Sequence, residues 1–445
     1  MVVLDFFIVN VALPSMQTSL NASSGALEWV AAGYGLTSAV FLITSARLGD
    51  RIGRRRVFSL GLALFTLSSV ACGAATSSEI LIAGRLVQGV AGALLMPNVL
   101  SIIGVLYRGP DRARALSAYA MVMGLAAVGG QLIGGILVQA NVAGLGWRTC
   151  FLINVPVGVL ALTFAPRVVP ESHDPRSSTI DWAGTALVTA GLIAIVLPLI
   201  EGRQHGWPAW TWILLGAAPL ILGTFVVQQR RLARRCGAPL LELSLFSQRT
   251  FSAGLVAQLV FWCGQASFFL VLALYLQQGR GLSALNAGLV FTILAVAYLV
   301  ASMVAPALAE SHGRRVLAAG ALVLACGHAV LVGTVADIGT GGSIAALVPG
   351  LALVGAGMGL GIAPLAAIIM SAAHPEQAGA ASGAISTMQQ VGNALGVAIV
   401  GVIFFGALPS SGFADAFELS LVALAAILLS VAALTRLLPS PRSAT

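Results

Sequence analysis

The chain has 445 residues, of which 58% are hydrophobic and only 9% are charged. A soluble globular domain carries roughly a quarter charged residues, so this composition excludes an ordinary cytosolic or secreted protein and is typical of a chain that lies mostly in lipid. All 23 basic residues are arginine. The absence of lysine excludes a P-loop ATPase and any enzyme that forms a lysine Schiff base.

Apolar segments long enough to cross a bilayer recur along the whole chain, and we predict fourteen membrane-spanning helices from them. At about 22 residues each, they leave no room for a folded soluble domain. The predicted spans cover approximately residues 1–19, 29–47, 57–75, 80–106, 116–138, 149–169, 182–200, 209–228, 251–276, 287–308, 316–335, 344–371, 382–406 and 417–438.

The distribution of arginine orients these spans. With the N-terminus inside, nearly all arginines fall in cytoplasmic loops, and only Arg148, Arg203 and Arg280 lie in loops that face outward. Because cytoplasmic loops are enriched in arginine, this predicts an even number of spans with both termini in the cytoplasm. The net charge of +8 then reflects membrane orientation, and no nucleic-acid partner is expected. Arginine in place of every lysine is typical of a high-GC bacterium, which predicts a bacterial plasma membrane.

Two pairs of similar segments indicate an internal duplication. The loop at residues 48–55 reads LGDRIGRR and the loop at 308–315 reads LAESHGRR, at an offset of 260, while Gly130 and Gly134 match Gly392 and Gly396 at an offset of 262. We therefore predict an all-α polytopic membrane protein with two six-helix halves and two inserted helices. The predicted domains are residues 1–169, an insertion at 170–250, and residues 251–445. Parallel six-helix halves of this kind are typical of secondary transporters.

The arginine-rich loop after the second span is the first candidate functional motif. Gly53 allows a backbone conformation that other residues resist, and Asp50 can accept hydrogen bonds from an arginine or from helix N-terminal amides. The loop is either a gating latch or only a positive anchor, and the acid retained at Glu310 favours the latch. The residues assigned to this inner-loop motif are Gly49, Asp50, Arg51, Gly53, Arg54 and Arg55.

Asp5 and Arg85 are ionisable residues within apolar spans, where charge is expensive and usually functional. A low dielectric favours the protonated form of an aspartate, so Asp5 could bind and release a proton during transport. Alternatively, Asp5 is near enough to the start of the chain to reach the interface. Arg85 stays charged and would pair with or tune an acid. The second half has Leu351 near the equivalent position, as expected for a coupling arginine rather than a structural one.

Other polar and small residues in the spans are weaker candidates. Polar side chains within spans either line a cavity or form hydrogen bonds between helices, and an aromatic ring could stack on a cationic substrate or simply pack. The candidate cavity residues are Asn10, Gln88, Asn98, Gln258, Trp262 and Gln265. Gly130, Gln131, Gly134 and Gly135 form a candidate helix-packing motif, since small residues four apart allow close helix approach. Asp5 is the only acid that we place deep in a span, so selectivity for dications is not indicated.

Together these residues resemble the fourteen-span drug:proton antiporters of the major facilitator superfamily, from residue 1 to about residue 405. The similar segments are Leu4–Asp5 with residues 8–14 (IVNVALP), Trp29 with Tyr34 and Leu36, the arginine-rich loop, residues 85–97, Trp147 with residues 148–158, and Pro239–Leu241 with residues 245–251.

Several positions depart from the family pattern. Phe7 stands where a threonine is usual, Ala46 where a glycine is usual, and Gln131 where a proline is common, which weakens an inference of antiport from that motif. The first span is also short, so we predict that it is truncated before Asp5.

The resemblance implies a proton-coupled exporter of a hydrophobic or cationic drug, antibiotic or toxic metabolite, in which Asp5 carries the proton and Arg85 tunes it. A proton-coupled importer on the same fold is the alternative. The expected partners are protons, a small-molecule substrate and the lipid bilayer, with no cofactor, metal or ATP and with a functional monomer. No enzyme motif such as Gly-x-Ser-x-Gly or His-Glu-x-x-His is present, so an enzyme is not expected.

Overall fold

A computed structural model of the chain describes residues 1–173, 180–235, 240, 244–373 and 377–437. The predicted motif residues Pro239 and Leu241 lie outside this part. Long apolar segments become helices because a helix satisfies its own backbone hydrogen bonds, as lipid requires. The helices are α1 (Val2–Leu20), α2 (Ser24–Ile52), α3 (Arg54–Gly73), α4 (Ser78–Leu106), α5 (Gly109–Ala140), α6 (Thr149–Leu152), α7 (Asn154–Val168), α8 (Trp182–Gln204), α9 (Ala209–Arg234), α10 (Arg249–Leu274), α11 (Ala284–His312), α12 (Arg314–Ile338), α13 (Val348–Ser371) and α14 (Ala378–Leu434).

The predicted count of fourteen spans is not confirmed. Within the described residues, twelve helical segments are long and apolar enough to cross a bilayer, or thirteen if a helix pair in α5 bent by 43° counts as one span. The count is also lower than predicted because the 57 residues of α14 are counted as one span. The backbone of α14 breaks at Gly412, where φ is 80°. A helix of that length would extend about 85 Å, well beyond one bilayer crossing.

The chain separates into two compact units, Met1–Leu243 and Ser244–Thr445. In the first unit α4 packs against α2 and α3, while α5 packs against α1. The inserted helices α8 and α9 pack against each other, and α8 also contacts α2 through Thr44 and Thr185, whose hydroxyl oxygens are 3.0 Å apart. The inserted helices α8 and α9 therefore belong to the first unit by their contacts. The three-part domain division remains a prediction.

The second unit repeats these helix pairs. Helix α13 packs against α11 and α12, and α14 packs against α10. Gly130 and Gly134 lie against the backbone of Leu4 and Ile8, and Gly392 and Gly396 lie in the same way against Leu259 and Cys263. No larger residue fits at such contacts without displacement, so the matched glycines allow the same close approach in both units.

Helices α2 and α11 also share their register. Each has 29 residues and begins after a serine, Ser23 or Ser283, whose hydroxyl accepts a hydrogen bond from the backbone three residues on. Each ends at a glycine with positive φ, 115° at Gly53 and 54° at Gly313. Both ends of the two helices differ by 260 positions, in agreement with the offset that the sequence predicts.

Candidate functional site

The carboxyl group of Asp5 is fully buried on α1 in the first unit. Its Oδ2 accepts a hydrogen bond from Arg85 Nη1 at 2.5 Å, and Oδ1 accepts from Gln88 Nε2 at 3.0 Å and from Asn154 Nδ2 at 2.8 Å. Both carboxylate oxygens therefore have donors. The carboxyl group is therefore enclosed by the protein on both oxygens.

Arg85 is 1% exposed and is held on every side. Its Nε donates to the carbonyl of Val30 at 3.0 Å, and Nη1 also donates to Gln88 Oε1 at 2.7 Å. The guanidinium carbon lies 4.4 Å from the centre of the Tyr34 ring, a cation–π contact. The arginine is fixed in one orientation, with its charge against Asp5.

Ser69 joins two of these groups from α3. Its hydroxyl oxygen lies 2.8 Å from Gln88 Nε2 and 3.3 Å from Asn154 Nδ2. The network of Asp5, Ser69, Arg85, Gln88 and Asn154 thus connects four helical segments of the first unit. We call it the Asp5 network.

The charge state of Asp5 determines whether its contact with Arg85 is an ion pair. With Asp5 ionised, the pair with Arg85 is electrically neutral and every carboxylate oxygen is hydrogen-bonded. Removing one member of a buried ion pair leaves an uncompensated charge, which costs about 3–5 kcal/mol. Protonation of Asp5 therefore changes the free energy of the contacts between α1 and α4, and a proton can favour one conformation over another.

The inner-loop motif forms a second polar cluster. Arg54 donates from Nε and Nη2 to Asp50 Oδ1 at 2.9 and 2.8 Å, one helical turn apart across the break at Gly53. Arg51 is exposed. Gly49 is buried against the amide of Asn98 on α4, so the motif is tied to α4 as well as to its own turn.

Glu171, which follows α7, completes this cluster. Its Oε1 accepts a hydrogen bond from the backbone amide of Arg55 at 3.1 Å, and its Oε2 lies 3.6 Å from Arg55 Nε. The Arg55 side chain also donates to the carbonyl of Val169 at 3.2 Å. The loop is thereby fastened to the segment after α7 within the first unit.

The candidate cavity residues have different environments. Gln88 belongs to the Asp5 network. Asn98 donates to Leu94 O at 2.8 Å and Ser45 Oγ at 3.3 Å, and Asn10 donates to carbonyl oxygens of its own helix. Asn10 thus bonds within its own helix, whereas Gln88 and Asn98 also bond to neighbouring helices.

In the second unit, α10 carries Gln258, Trp262 and Gln265, each at most 9% exposed. The Gln258 Oε1, Trp262 Nε1 and Gln265 Nε2 atoms have no hydrogen-bond partner in the described part of the chain. Unsatisfied buried polar atoms are expensive unless a ligand or water binds them. These residues therefore remain candidates for substrate contact.

The candidate helix-packing motif of α5 lies against α1. Gly130, Gly134 and Gly135 are buried, and the first two contact α1 just beside Asp5. Gln131 is 2% exposed, and neither atom of its amide group has a partner among the described residues.

Sequence reasoning missed several site residues. Asn154 lies in a segment that carries the family resemblance, which was the available signal, whereas Ser69 has no such signal. Glu28 is a correction, because the sequence placed it outside the second span. The structure begins α2 at Ser24 and buries Glu28 completely, so Asp5 is not the only acid within a span.

Comparison with known proteins decides the family. The family model described as Major Facilitator Superfamily matches residues 1–397. The chain belongs to the Major Facilitator Superfamily. It is therefore a multi-pass membrane transporter.

Several relatives are named as a transporter, an export protein or a resistance protein. The Probable actinorhodin transporter of Streptomyces coelicolor is 40% identical over 413 residues, which cover 93% of this chain and 72% of that protein. The Cephamycin export protein CmcT of Amycolatopsis lactamdurans is 35% identical, covering 99% and 90%. The Puromycin resistance protein pur8 of Streptomyces alboniger is 33% identical, covering 92% and 80%.

Solved structures of more distant transporters have the same fold. A POT family transporter in complex with 5-aminolevulinic acid aligns with a TM-score of 0.68 at 16% identity over 98% of this chain and 95% of that one. A bacterial homolog of the human lysosomal transporter Spinster, in an inward-facing and occupied conformation, aligns with a TM-score of 0.69 at 15% identity, covering 98% and 93%. At these identities the likeness concerns the fold alone.

Proposed function

We propose that this major facilitator protein exports antibiotic-like small molecules across a bacterial plasma membrane in exchange for protons. The names of its relatives support export: they are called transporters of an antibiotic, export proteins or resistance proteins. An importer is not favoured, since none of these three names describes uptake. We infer a hydrophobic neutral or monocationic substrate, because the buried acids Asp5 and Glu28 are each paired with an arginine.

The observation that carries the proton coupling is the buried contact between Asp5 and Arg85. A carboxyl group with no exposure and a fixed arginine is a group whose protonation must alter the surrounding contacts. The second unit has no comparable pair at the matching positions, where Val260 and Leu351 stand. The same helix packing therefore does not require these charges, which favours a role in transport.

The proposed cycle is alternating access. Facing outward, Asp5 takes up a proton and the substrate leaves; facing inward, Asp5 releases the proton and substrate binds from the cytosol. Only a difference in the affinity of proton and substrate for the two states can drive this exchange. The cycle needs neither ATP nor a second copy of the chain. The inner-loop motif would act as the latch whose Asp50–Arg54 contact stabilises one of the states.

The test is efflux in a bacterium that lacks its own pumps. The strain expresses the wild type or Asp5→Asn, and accumulation of several antibiotics is measured with and without a protonophore. We expect the wild type to lower accumulation only while the proton gradient persists, and Asp5→Asn to lose this effect. Asp111→Asn is the matched control, because Asp111 pairs with Arg114 at the exposed surface. Proton-dependent efflux by Asp5→Asn at the wild-type rate would remove Asp5 from the mechanism.

A further inference from the structure

A second buried ion pair lies in the first unit, between Glu28 of α2 and Arg203 of the inserted helix α8. The Glu28 side chain has no exposed surface, and its Oε1 accepts a hydrogen bond from Arg203 Nη2 at 3.1 Å. The same Nη2 donates to Ser24 Oγ at 2.6 Å. The Arg203 side chain is 19% exposed, so this end of the pair reaches solvent while the carboxyl group does not.

The carboxylate of Glu28 is less completely bonded than that of Asp5. Both oxygens of Asp5 have donors, but Glu28 Oε2 is buried and has no partner in the described part of the chain. A buried carboxylate needs hydrogen bonds to its remaining lone pairs to offset its desolvation. Ion pairing and hydrogen bonding therefore compensate the buried charge of Glu28 on one oxygen only.

A further acid, Glu201 of α8, lies near Glu28. Glu201 of α8 acts on Glu28 through their like charges, and its Oε1 accepts a hydrogen bond from Trp29 Nε1 at 2.8 Å. His205 lies 3.8 Å from Glu201 at the exposed end of α8. Among the described residues, Arg203 and Glu201 are the charged groups that act on Glu28, and His205 adjoins Glu201. Arg203 is the one cation in contact with the Glu28 carboxylate among the described residues, and Glu201 adds a like charge nearby.

A single turn of α2 connects the Glu28–Arg203 pair to the Asp5 network. The carbonyl of Val30, two residues after Glu28, accepts the hydrogen bond from Arg85 Nε, and Arg85 Nη1 contacts Asp5. Glu28 is in the fifth position of α2, about 6–7 Å along the helix axis from its first residue. In the orientation that the arginine distribution predicts, α2 begins at the outer surface, so Glu28 lies between that surface and Arg85.

We propose that Glu28 is a second proton-binding carboxyl group of the transport cycle, located on the outer side of Asp5. A proton from the outer aqueous phase binds the Glu28 carboxylate and releases its contact with Arg203. The proton then passes inward to the Asp5 carboxylate, and Glu28, ionised again, re-forms the pair with Arg203. This role rests on the proton-coupled export proposed above. It also gives the inserted helices a function, since α8 supplies the arginine.

The first test measures protonation directly, without transport. Purified protein is titrated with pH while the infrared C=O stretching band of protonated carboxyl groups is recorded. We expect Glu28→Gln to remove one titrating band that Asp5→Asn leaves in place. Glu79→Gln is the matched control, because Glu79 is an exposed acid in the first turn of α4. An unchanged band in Glu28→Gln would overturn the proposal, whatever the outcome for Asp5.

The second test separates coupling from folding. In proteoliposomes, Glu28→Gln is expected to retain substrate counterflow, which needs no net proton turnover, and to lose the stimulation of transport by an acidic outer phase. Glu28→Asp should restore part of that stimulation. Glu28→Gln keeps the side-chain volume, and in this variant Arg203 keeps its bond to Ser24 and its access to water. Equal loss of counterflow and proton-driven transport would show a merely structural role and would contradict the proposal.

A failure of the transport cycle itself gives a different pattern. If Asp5→Asn keeps proton-driven efflux while the Glu28 band still titrates, the proposed role of Asp5 is wrong but Glu28 remains a proton-binding site. If both variants keep the acidic stimulation, Glu28 has no part in transport.

Discussion

The two units of the protein have matching helices but different buried charges. Asp5 corresponds to Val260 when α1 and α10 are aligned on their glycine contacts, and Arg85 corresponds to Leu351 when Gly89 and Gly355 are aligned. Glu28 corresponds to Gly288 in the shared register of α2 and α11. Val260 and Leu351 are apolar, and Leu351 is fully buried. The second unit reaches the same helix pairs without these charges.

The difference in buried charge between the two units distinguishes residues required for helix packing from residues that we assign to transport. Replacement of a buried ion pair by apolar residues of similar size is often neutral or stabilising, so the second unit represents the less costly solution. The first unit keeps the charges despite their desolvation. The shared helix packing does not depend on these charges, in agreement with the proposed role of the first unit in proton coupling.

We expect the largest effect on stability when Arg85 is replaced by leucine, the residue that the second unit has at the matching position. Arg85→Leu leaves the Asp5 carboxylate buried without its counter-charge, so we expect it to destabilise the protein by about 3–5 kcal/mol. The change would be measured as a lower unfolding temperature of the purified protein in detergent.

The double variant Asp5→Val/Arg85→Leu sharpens the same comparison. It has the apolar pair of the second unit, and we expect it to recover most of the lost stability while proton-driven efflux stays absent. If the double variant were as unstable as Arg85→Leu, the apolar residues of the second unit would not be a true equivalent of the pair.

The glycine contacts should respond alike in both units. A Cβ atom at Gly134 would meet Ile8, and one at Gly396 would meet the backbone of Cys263. We expect Gly134→Ala and Gly396→Ala each to destabilise the protein by about 1–3 kcal/mol, as overpacking does. Gly124→Ala is the control, since no atom lies within 4 Å of its added Cβ. Thermal unfolding of the three variants decides whether the packing is equivalent, and a clear difference between Gly134→Ala and Gly396→Ala would break the equivalence.

The smallest effect is expected at the inner loop of the first unit. Glu171→Gln weakens the contacts with Arg55 and Arg56, which are partly exposed, so the free energy of unfolding should fall by less than about 1 kcal/mol. Efflux should change more than stability if the loop is a latch. Equal efflux in Glu171→Gln and wild type would favour the alternative that the loop is only a positive anchor.

Composition predicted the all-helical membrane fold, and matched segments predicted the repeat. Charge within apolar spans identified Asp5 and Arg85 as two separate candidates, but it did not predict their contact. These patterns did not predict the partners Asn154 and Ser69, because a neutral polar residue in a span looks the same whether it bonds an acid or a neighbouring helix. Glu28 was missed because hydropathy locates helix ends poorly near a charged residue. The long helix with its break at Gly412 also has no clear signal, since glycine is common throughout this chain.

The most direct test of the central claim measures protons moved by a substrate gradient. Purified protein is placed in liposomes that contain a pH-sensitive dye, without ATP, and a transported antibiotic is added on one side. We predict that the wild type moves protons opposite to the antibiotic, and that Asp5→Asn moves none although it still exchanges labelled for unlabelled antibiotic. Proton movement by Asp5→Asn at the wild-type rate would contradict the assignment of Asp5 as the coupling residue.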